Sequence, residues 1–154
     1  MPEVLFYHME RAGLDDVLPG LLEKTRERRW RALVRVGSAE RLEDLDARLW
    51  TYREESFLAH GTDRENRRRD MPILLTTEDE NCNDANVFFY ADGTMPVDWS
   101  APRFEGVIRV VVLFDGRDAA AMENAREHWK MARAAGYEAT YWQQSASGGW
   151  EKRA

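Results

Sequence analysis

The amino-acid sequence predicts an α/β domain with a mostly parallel sheet, and three observations support this. Short apolar runs rich in β-branched and aromatic residues alternate with longer segments in which leucine or alanine recurs at helical spacing. The first elements follow in the order strand, helix, strand, helix, which favours parallel strands with helices packed on the sheet. The chain has 154 residues, the size of one ordinary domain.

The strands and helices follow from local patterns. Strands are predicted at 4–9, 32–37, 71–77, 86–90 and 106–114, and a last strand begins at Tyr137. The run Gly106 to Phe114 is the most apolar, which is typical of a central strand that is buried on both faces. Helices are predicted at 14–30, at 39–50 after the capping Ser38, and at 118–135, where Gly136 ends the helix.

Two segments lie outside these elements. From Gly61 to Asp70 nearly every residue is polar or charged and none is aliphatic, so an exposed loop is expected. After residue 144 the sequence is rich in small and polar residues. We therefore expect a single domain at 1–144 and a flexible tail at 145–154.

Composition limits the possible functions. The net charge is −6, so the chain is not attracted to nucleic acid as a whole, and any such contact must be local or pass through a partner. Cys82 is the single cysteine, which fits a reducing cytoplasm. The sequence has neither a signal peptide nor an apolar stretch of ~20 residues, so a cytoplasmic protein without a membrane partner is expected.

The sequence offers little support for catalysis. Strand 106–114 runs into Asp115 as in nucleotide hydrolases, but no glycine-rich phosphate loop accompanies it. The three histidines do not have metal-ligand spacing, and Cys82 lies in an acidic segment that disfavours its thiolate. We expect no metal or cofactor. The alternative is a degenerate nucleotide-binding or hydrolase domain that uses Asp115 with His60 or Cys82.

The last predicted helix places an aromatic ring beside three cations. Its narrow face of small residues is formed by Ala121, Ala125 and Ala132. Trp129 lies at the edge of that face, followed on the same side by Arg126, Lys130 and Arg133. Such a surface suits an acidic peptide with one apolar anchor, since guanidinium groups bind carboxylates while the ring packs on the anchor. The alternative is a solvated face on which Trp129 completes the core.

A second candidate surface lies in segment 48–61, at the end of the second helix. Trp50, Phe57 and Leu58 are large apolar residues next to the polar loop. If they are exposed together, they form an anchor patch for a protein partner. The alternative is that they cover the edge of the core.

Long co-linear blocks of the sequence resemble one known family. They begin with FYHME and continue with ERRWRALVRVGSAERLEDLDARLWTYREESFLAHG, PILLTT and ANVFFYADG. They close with VVVLFDGRDAAAMENAREHWKMARAAGYEATYWQQ. Together these blocks cover most of the chain and resemble the chi subunit of bacterial DNA polymerase III.

The resemblance implies a Rossmann-like three-layer domain with helices on both faces of the sheet and no active site. Chi proteins are accessory parts of the clamp-loader assembly, which they link to single-stranded DNA-binding protein by gripping its acidic, phenylalanine-ended C-terminal tail. The tail-binding residues of the family match Arg126, Trp129 and Lys130. A further basic position of the family corresponds here to Met122, and Arg133 could replace the missing charge.

The family's second surface, which binds the psi subunit, matches Trp50, Phe57 and Leu58. Many bacteria have no recognisable psi, so an equivalent partner such as an accessory helicase could use this surface. The resemblance implies a monomer that reaches DNA only indirectly, through its protein partners.

Overall fold

A computed structural model describes residues 1–51, 59–64 and 68–154. Its described residues form one sheet of eight strands, in the order β3-β4-β2-β5-β6-β1-β7-β8. All neighbours are parallel except β7 and β8. The strands are β1 (Glu3–Met9), β2 (Ala32–Arg35), β3 (Gly61–Thr62), β4 (Ile73–Thr76), β5 (Val87–Tyr90), β6 (Arg109–Asp115), β7 (Ala139–Gln144) and β8 (Trp150–Lys152).

Three α-helices connect the described strands: α1 (Leu14–Glu27), α2 (Ala39–Trp50) and α3 (Ala119–Ala134). Short 3-10 turns occur at Arg68–Asp70 and Ala101–Phe104. The predicted mostly parallel sheet with helices on both faces is confirmed, and the fold is a Rossmann-like three-layer domain. None of the helices described is both long and apolar enough to cross a membrane.

The core lies in two layers, one on each face of the sheet. On one face α1 and α2 bury leucines such as Leu18, Leu22 and Leu45 against the strands. On the other face α3 packs together with the segment between β5 and β6, which contributes Trp99 and Phe104. The predicted central strand β6 supplies side chains to both layers, which explains its almost unbroken apolar sequence.

The segment predicted as an exposed loop contains a strand at its start. Gly61 and Thr62 pair with Leu74 and Leu75 of β4, so the prediction is wrong for these two residues. They carry no apolar side chain, and their pairing at the edge of the sheet uses backbone groups, which leave little signal in a sequence. Asp63 extends this attachment, because its carboxylate accepts a 2.7 Å hydrogen bond from the Thr76 hydroxyl.

The C-terminal residues also differ from the expected flexible tail. Trp150–Lys152 forms β8, which is antiparallel to β7 and places Trp150 opposite Gln144. Gly148 adopts a positive φ of 90°, a conformation that glycine accepts readily, and the Ser145 amide donates a 2.7 Å hydrogen bond to the Gly149 carbonyl. This turn brings Trp150 back onto the core layer beneath α1.

Candidate functional site

Helix α3 is fixed at both ends by capping interactions. The Asp118 carboxylate accepts a 3.0 Å hydrogen bond from the Ala120 amide at the N-terminus. At the C-terminus Gly136 has a φ of 93°, and the Tyr137 amide donates to the Ala132 carbonyl at 3.1 Å. The predicted helix end at Gly136 is confirmed. The side chains of α3 are therefore carried by a well-defined scaffold.

The small face of α3 lies against the sheet as predicted. Ala125 and Ala132 are buried, and Ala121 is half-buried against the same core layer. Since alanine is small, the helix approaches the strands closely. The larger Trp129 reaches over the edge of this contact and meets side chains that rise from β1 and β7.

Trp129 is both a packing residue and a surface residue. Its half-buried ring makes edge contacts with Phe6 at 5.6 Å and with Tyr141 at 6.0 Å between ring centroids. The guanidinium of Arg133 lies over the ring, 5.3 Å from its centroid. The contacts with the core fix the orientation of the indole ring, and the cation–π contact restrains Arg133 beside it.

The three predicted cations are all exposed on α3, and we call them, together with Trp129, the α3 surface. The cations are Arg126, Lys130 and Arg133. In the part of the chain that the structure describes, none of them forms a salt bridge with a carboxylate. Their charges are thus not neutralised by described residues and can attract an anionic ligand.

A polar pair of one buried and one half-buried residue lies close to the α3 surface. His8 Nδ1 is 2.6 Å from the Tyr141 hydroxyl, with which it shares a hydrogen bond. His8 Nε2 is 3.1 Å from Oε1 of Glu10, but the angle of this contact is unfavourable for a hydrogen bond. Burial lowers the pKa of His8, and the nearby Arg126 lowers it further, while Glu10 acts against them. Sequence reasoning missed this pair, because the two residues lie 133 positions apart.

Met122 occupies the position where the resemblance leads us to expect another cation. It is half-buried and packs against the core layer beneath α3. The α3 surface therefore has an apolar side chain one turn before Arg126. Arg133, one turn after Trp129, carries a positive charge at the other end of the surface.

Only part of the second predicted surface is described. Trp50 is 51% exposed at the end of α2, and its ring centroid is 4.3 Å from that of His60. His60 is buried beneath it, with Nε2 2.9 Å from Oδ1 of Asp46. Phe57 and Leu58 lie outside the described residues. Trp50 therefore exposes about half of its surface while its ring packs on a buried histidine. Large exposed aromatic residues of this kind are common anchors in protein interfaces.

The residues of the alternative hydrolase hypothesis do not come together. Asp115 ends β6 and binds the guanidinium of Arg117, with Nε 3.0 Å from Oδ1. His60 precedes the edge strand β3, which is separated from β6 by three strands. Cys82 lies next to Asn83, whose side chain donates to the Ala32 and Met71 carbonyls at the amino ends of the strands, whereas Asp115 lies at the carboxyl end of β6.

The crevice at the carboxyl ends of the strands, where folds of this type bind nucleotides, is occupied by ion pairs. Arg41 on α2 binds Asp15 and Asp92 at 2.7 and 2.9 Å, and Asp44 at 2.7 Å. Asp115 and Asp118 line the same cavity. These carboxylates would repel a phosphate, and Arg41 is already engaged by three of them.

The fold and these sites define a Rossmann-like α/β domain whose candidate site is a cationic helix surface suited to protein binding. The chain belongs to the family described as "DNA polymerase III chi subunit, HolC", which matches residues 1–140. The resemblance found in the sequence is thereby confirmed. The family description names a subunit of DNA polymerase III.

Two individual proteins show the extent of the similarity. A "Probable DNA polymerase III subunit chi" from Rickettsia prowazekii (strain Madrid E) is 26% identical over 87 residues, 56% of this chain and 53% of the relative. The chain thus spans about half the length of that relative. The C-terminal domain of a Dbp5 variant from S. cerevisiae, solved with a Gle1 variant and IP6, has a TM-score of 0.54 at 12% identity, covering 93% of this chain and 90% of that domain. This second likeness concerns the fold alone.

Proposed function

We propose that this chain is a non-catalytic accessory subunit that links the clamp-loader assembly of DNA polymerase III to single-stranded DNA-binding protein. The contact is the acidic, phenylalanine-ended C-terminal tail of that protein, which binds at the α3 surface. The observation that carries the proposal is the group of three exposed cations around Trp129, unpaired with any described carboxylate. Such a role fits the bacterial cytoplasm.

The charges of the α3 surface support an acidic peptide as the ligand. Arginine presents a planar fork that binds a carboxylate through two hydrogen bonds, so Arg126 and Arg133 are suited to the acidic side chains or the terminal carboxylate. Lys130 adds a third charge without directional demands. The protein as a whole carries a net charge of −6, so attraction of the tail depends on this local concentration of cations.

Trp129 of the α3 surface and the neighbouring Met122 support a phenylalanine as the anchor. Trp129 is held by Phe6 and Tyr141, and Met122 lies half-buried on the same helix. Because the Trp129 ring is already held in one orientation, little side-chain entropy of the protein is lost when a phenylalanine ring packs on it. Methionine is flexible and adapts its shape to an aromatic neighbour. The apolar Met122 thus adds contact area where the family has a cation.

The test is a calorimetric titration of the protein with a peptide of the acidic, phenylalanine-ended tail. We expect one-to-one binding that weakens as salt increases. Arg126→Glu should weaken binding about 10- to 100-fold, because it removes charge-assisted hydrogen bonds of about 1.5–3 kcal/mol and adds repulsion. A peptide without its terminal phenylalanine should also bind much more weakly.

Arg28→Glu is the matched control, because it makes the same charge change at the exposed residue that follows α1, on the opposite face of the sheet. It should leave the affinity for the tail peptide nearly unchanged. The proposal is wrong if both variants bind the peptide like the wild type, or if both lose binding equally.

The surface around Trp50 is proposed as the site of a second partner, a psi subunit or an equivalent such as an accessory helicase. The exposed ring of Trp50 is the supporting observation. In this arrangement a monomer binds its two partners on different faces of the sheet. It reaches DNA indirectly, through the single-stranded DNA-binding protein that covers the strand.

A further inference from the structure

A cavity of about 260 Å³ lies on the face of the sheet opposite α3, between α1 and β8, and we call it the α1–β8 pocket. Its aromatic walls are formed by Tyr7, Trp30, Trp142 and Trp150. Lys24, Arg28 and Arg109 supply its charged groups, and no described carboxylate lines it. In a chain of net charge −6, this pocket is a local concentration of cations and rings.

Two of the rings are nearly parallel, and a third stands across one of them. Tyr7 and Trp142 are paired residues of the neighbouring strands β1 and β7, and their rings are tilted by only 21° with centroids 6.4 Å apart. Trp150 stands nearly perpendicular to Tyr7, at 77° and 4.8 Å between centroids. Adjacent aromatic residues on neighbouring strands are the surfaces on which some sheet proteins stack nucleobases.

Two of the three cations that line the pocket contact Trp30. Arg28 and Arg109 both lie over the Trp30 ring, 4.9 and 5.2 Å from its centroid. Arg109 is also paired with Glu3, its Nε lying 2.5 Å from Oε1. Lys24 lies one helical turn before Arg28, and among the described residues neither forms a salt bridge. Lys24 and Arg28 are therefore available to an anion at the mouth of the pocket.

We propose that the α1–β8 pocket binds a nucleotide of single-stranded nucleic acid. A base stacks on the rings of Tyr7 and Trp142, and the adjoining phosphate contacts Lys24 and Arg28. Stacking on aromatic side chains combined with a cationic path for the backbone is the usual way in which single strands are bound without sequence preference. The pocket is slightly smaller than the clefts of about 300–1,000 Å³ that hold drug-sized ligands, so it accommodates one base at a time.

A nucleotide fits these observations better than an acidic peptide. Several aromatic rings line the pocket, and any base can stack on them, whereas a single apolar side chain would cover them only in part. The net charge of −6 is compatible with this, because the contact depends on a few local cations. Such a contact would bind single-stranded nucleic acid directly. It would add to the proposed indirect contact through the tail of single-stranded DNA-binding protein.

The test measures fluorescence anisotropy of a labelled oligothymidylate of about ten nucleotides, within the range of known single-strand sites. A labelled oligouridylate tests RNA in parallel, and binding of either polymer supports the proposal. Trp142→Ala should weaken binding about 5- to 100-fold, the effect of one lost stacking contact, whereas Trp142→Phe should retain most of the affinity. Arg28→Glu should weaken binding and reduce the slope of log affinity against log salt by roughly 0.7.

Two controls make the outcome decisive. An abasic oligonucleotide of the same length keeps the phosphates and should bind much more weakly than the oligothymidylate. Arg126→Glu on α3 should bind the oligonucleotide like the wild type, so failure here is distinguishable from failure of the tail-binding proposal. Because Arg28 is exposed at the end of α1, its variant tests the pocket even if Trp142→Ala does not fold.

Equal binding of abasic and normal oligonucleotides would overturn the proposal, and so would normal binding by Arg28→Glu and Trp142→Ala together. Pocket variants that lose affinity for the acidic tail peptide but keep it for oligonucleotides would instead assign the pocket to a peptide and refute a nucleotide site.

Discussion

Gly116 lies against the buried ring of His8, at the carboxyl end of the central strands. A Cβ at this position would be 1.8 Å from Nε2 and 2.0 Å from Cδ2 of His8. The imidazole is held on its other side by the Tyr141 hydroxyl, 2.6 Å from Nδ1, so it cannot move away freely. Gly116 is therefore required by the close approach of a neighbouring ring.

Gly116→Ala should lower the free energy of unfolding by roughly 1–3 kcal/mol, because an overpacked methyl group forces His8 out of its position. Urea denaturation measures the change. Gly20→Ala is the matched control: it lies inside α1, where a Cβ would meet nothing within 4 Å, and should stabilise the protein by about 0.5–1 kcal/mol. A Gly116→Ala protein as stable as the wild type would show that the His8 contact is not tight.

Helix α3 is attached to the segment between β5 and β6 by one hydrogen bond between side chains. The Trp99 Nε1–H donates to Nδ1 of His128 at 3.1 Å. Because the indole nitrogen can only donate, Nδ1 must be unprotonated, and the neutral ring carries its proton on Nε2. Burial lowers the pKa of His128, although the nearby Glu127 acts in the opposite direction.

This contact predicts a loss of stability on acidification. The pKa of His128 in the folded chain lies below the ordinary value of 6.5, so as the pH falls the unfolded chain takes up the proton first. Stability is therefore present above pH 6.5 and declines as the pH falls from 6.5 towards the folded pKa. His8, whose pKa is also lowered, contributes in the same direction.

Urea denaturation at about pH 7.5 and about pH 5.5 measures this effect, in a window set by the ordinary histidine pKa. The variant His128→Gln should lose less stability between the two pH values than the wild type, because the titrating group at this contact is gone. An identical pH dependence of both proteins would show that His128 does not titrate differently in the folded and unfolded states.

On the scale of the whole molecule, the two candidate protein-binding surfaces lie on different sides of the sheet. α3 packs on one core layer, while α2, which carries Trp50 at its end, packs on the other. Sites that share no contacts usually affect binding independently. The sheet thus separates the α3 surface from the surface around Trp50.

Trp50→Ala should therefore change the affinity for the tail peptide by less than about twofold, the usual limit for independent sites. The double variant with Arg126→Glu should show the same loss as Arg126→Glu alone. Calorimetric titration of the single and double variants tests this separation. A large loss of tail binding in Trp50→Ala would mean that the two surfaces are coupled.

The fold class, nearly all helices and strands, and the composition of the α3 surface can be predicted from the amino-acid sequence. Hydrophobic periodicity follows from the local geometry of helices and strands. The sequence therefore predicts the alternation of strands and helices, the apolar β6 and the alanine face of α3. The family resemblance added the residues expected to bind a partner.

Contacts between residues that are distant in the chain become apparent only in the folded structure. The strands β3 and β8, the pairing of His8 with Tyr141 and the aromatic α1–β8 pocket all depend on contacts between segments far apart in the chain. Tyr7 and Trp142 show no joint pattern along the sequence, yet neighbouring strands bring them side by side. The physical reason is that the order of the strands depends on how the connections and helices pack on the whole sheet, and the pattern of a single segment does not contain that order.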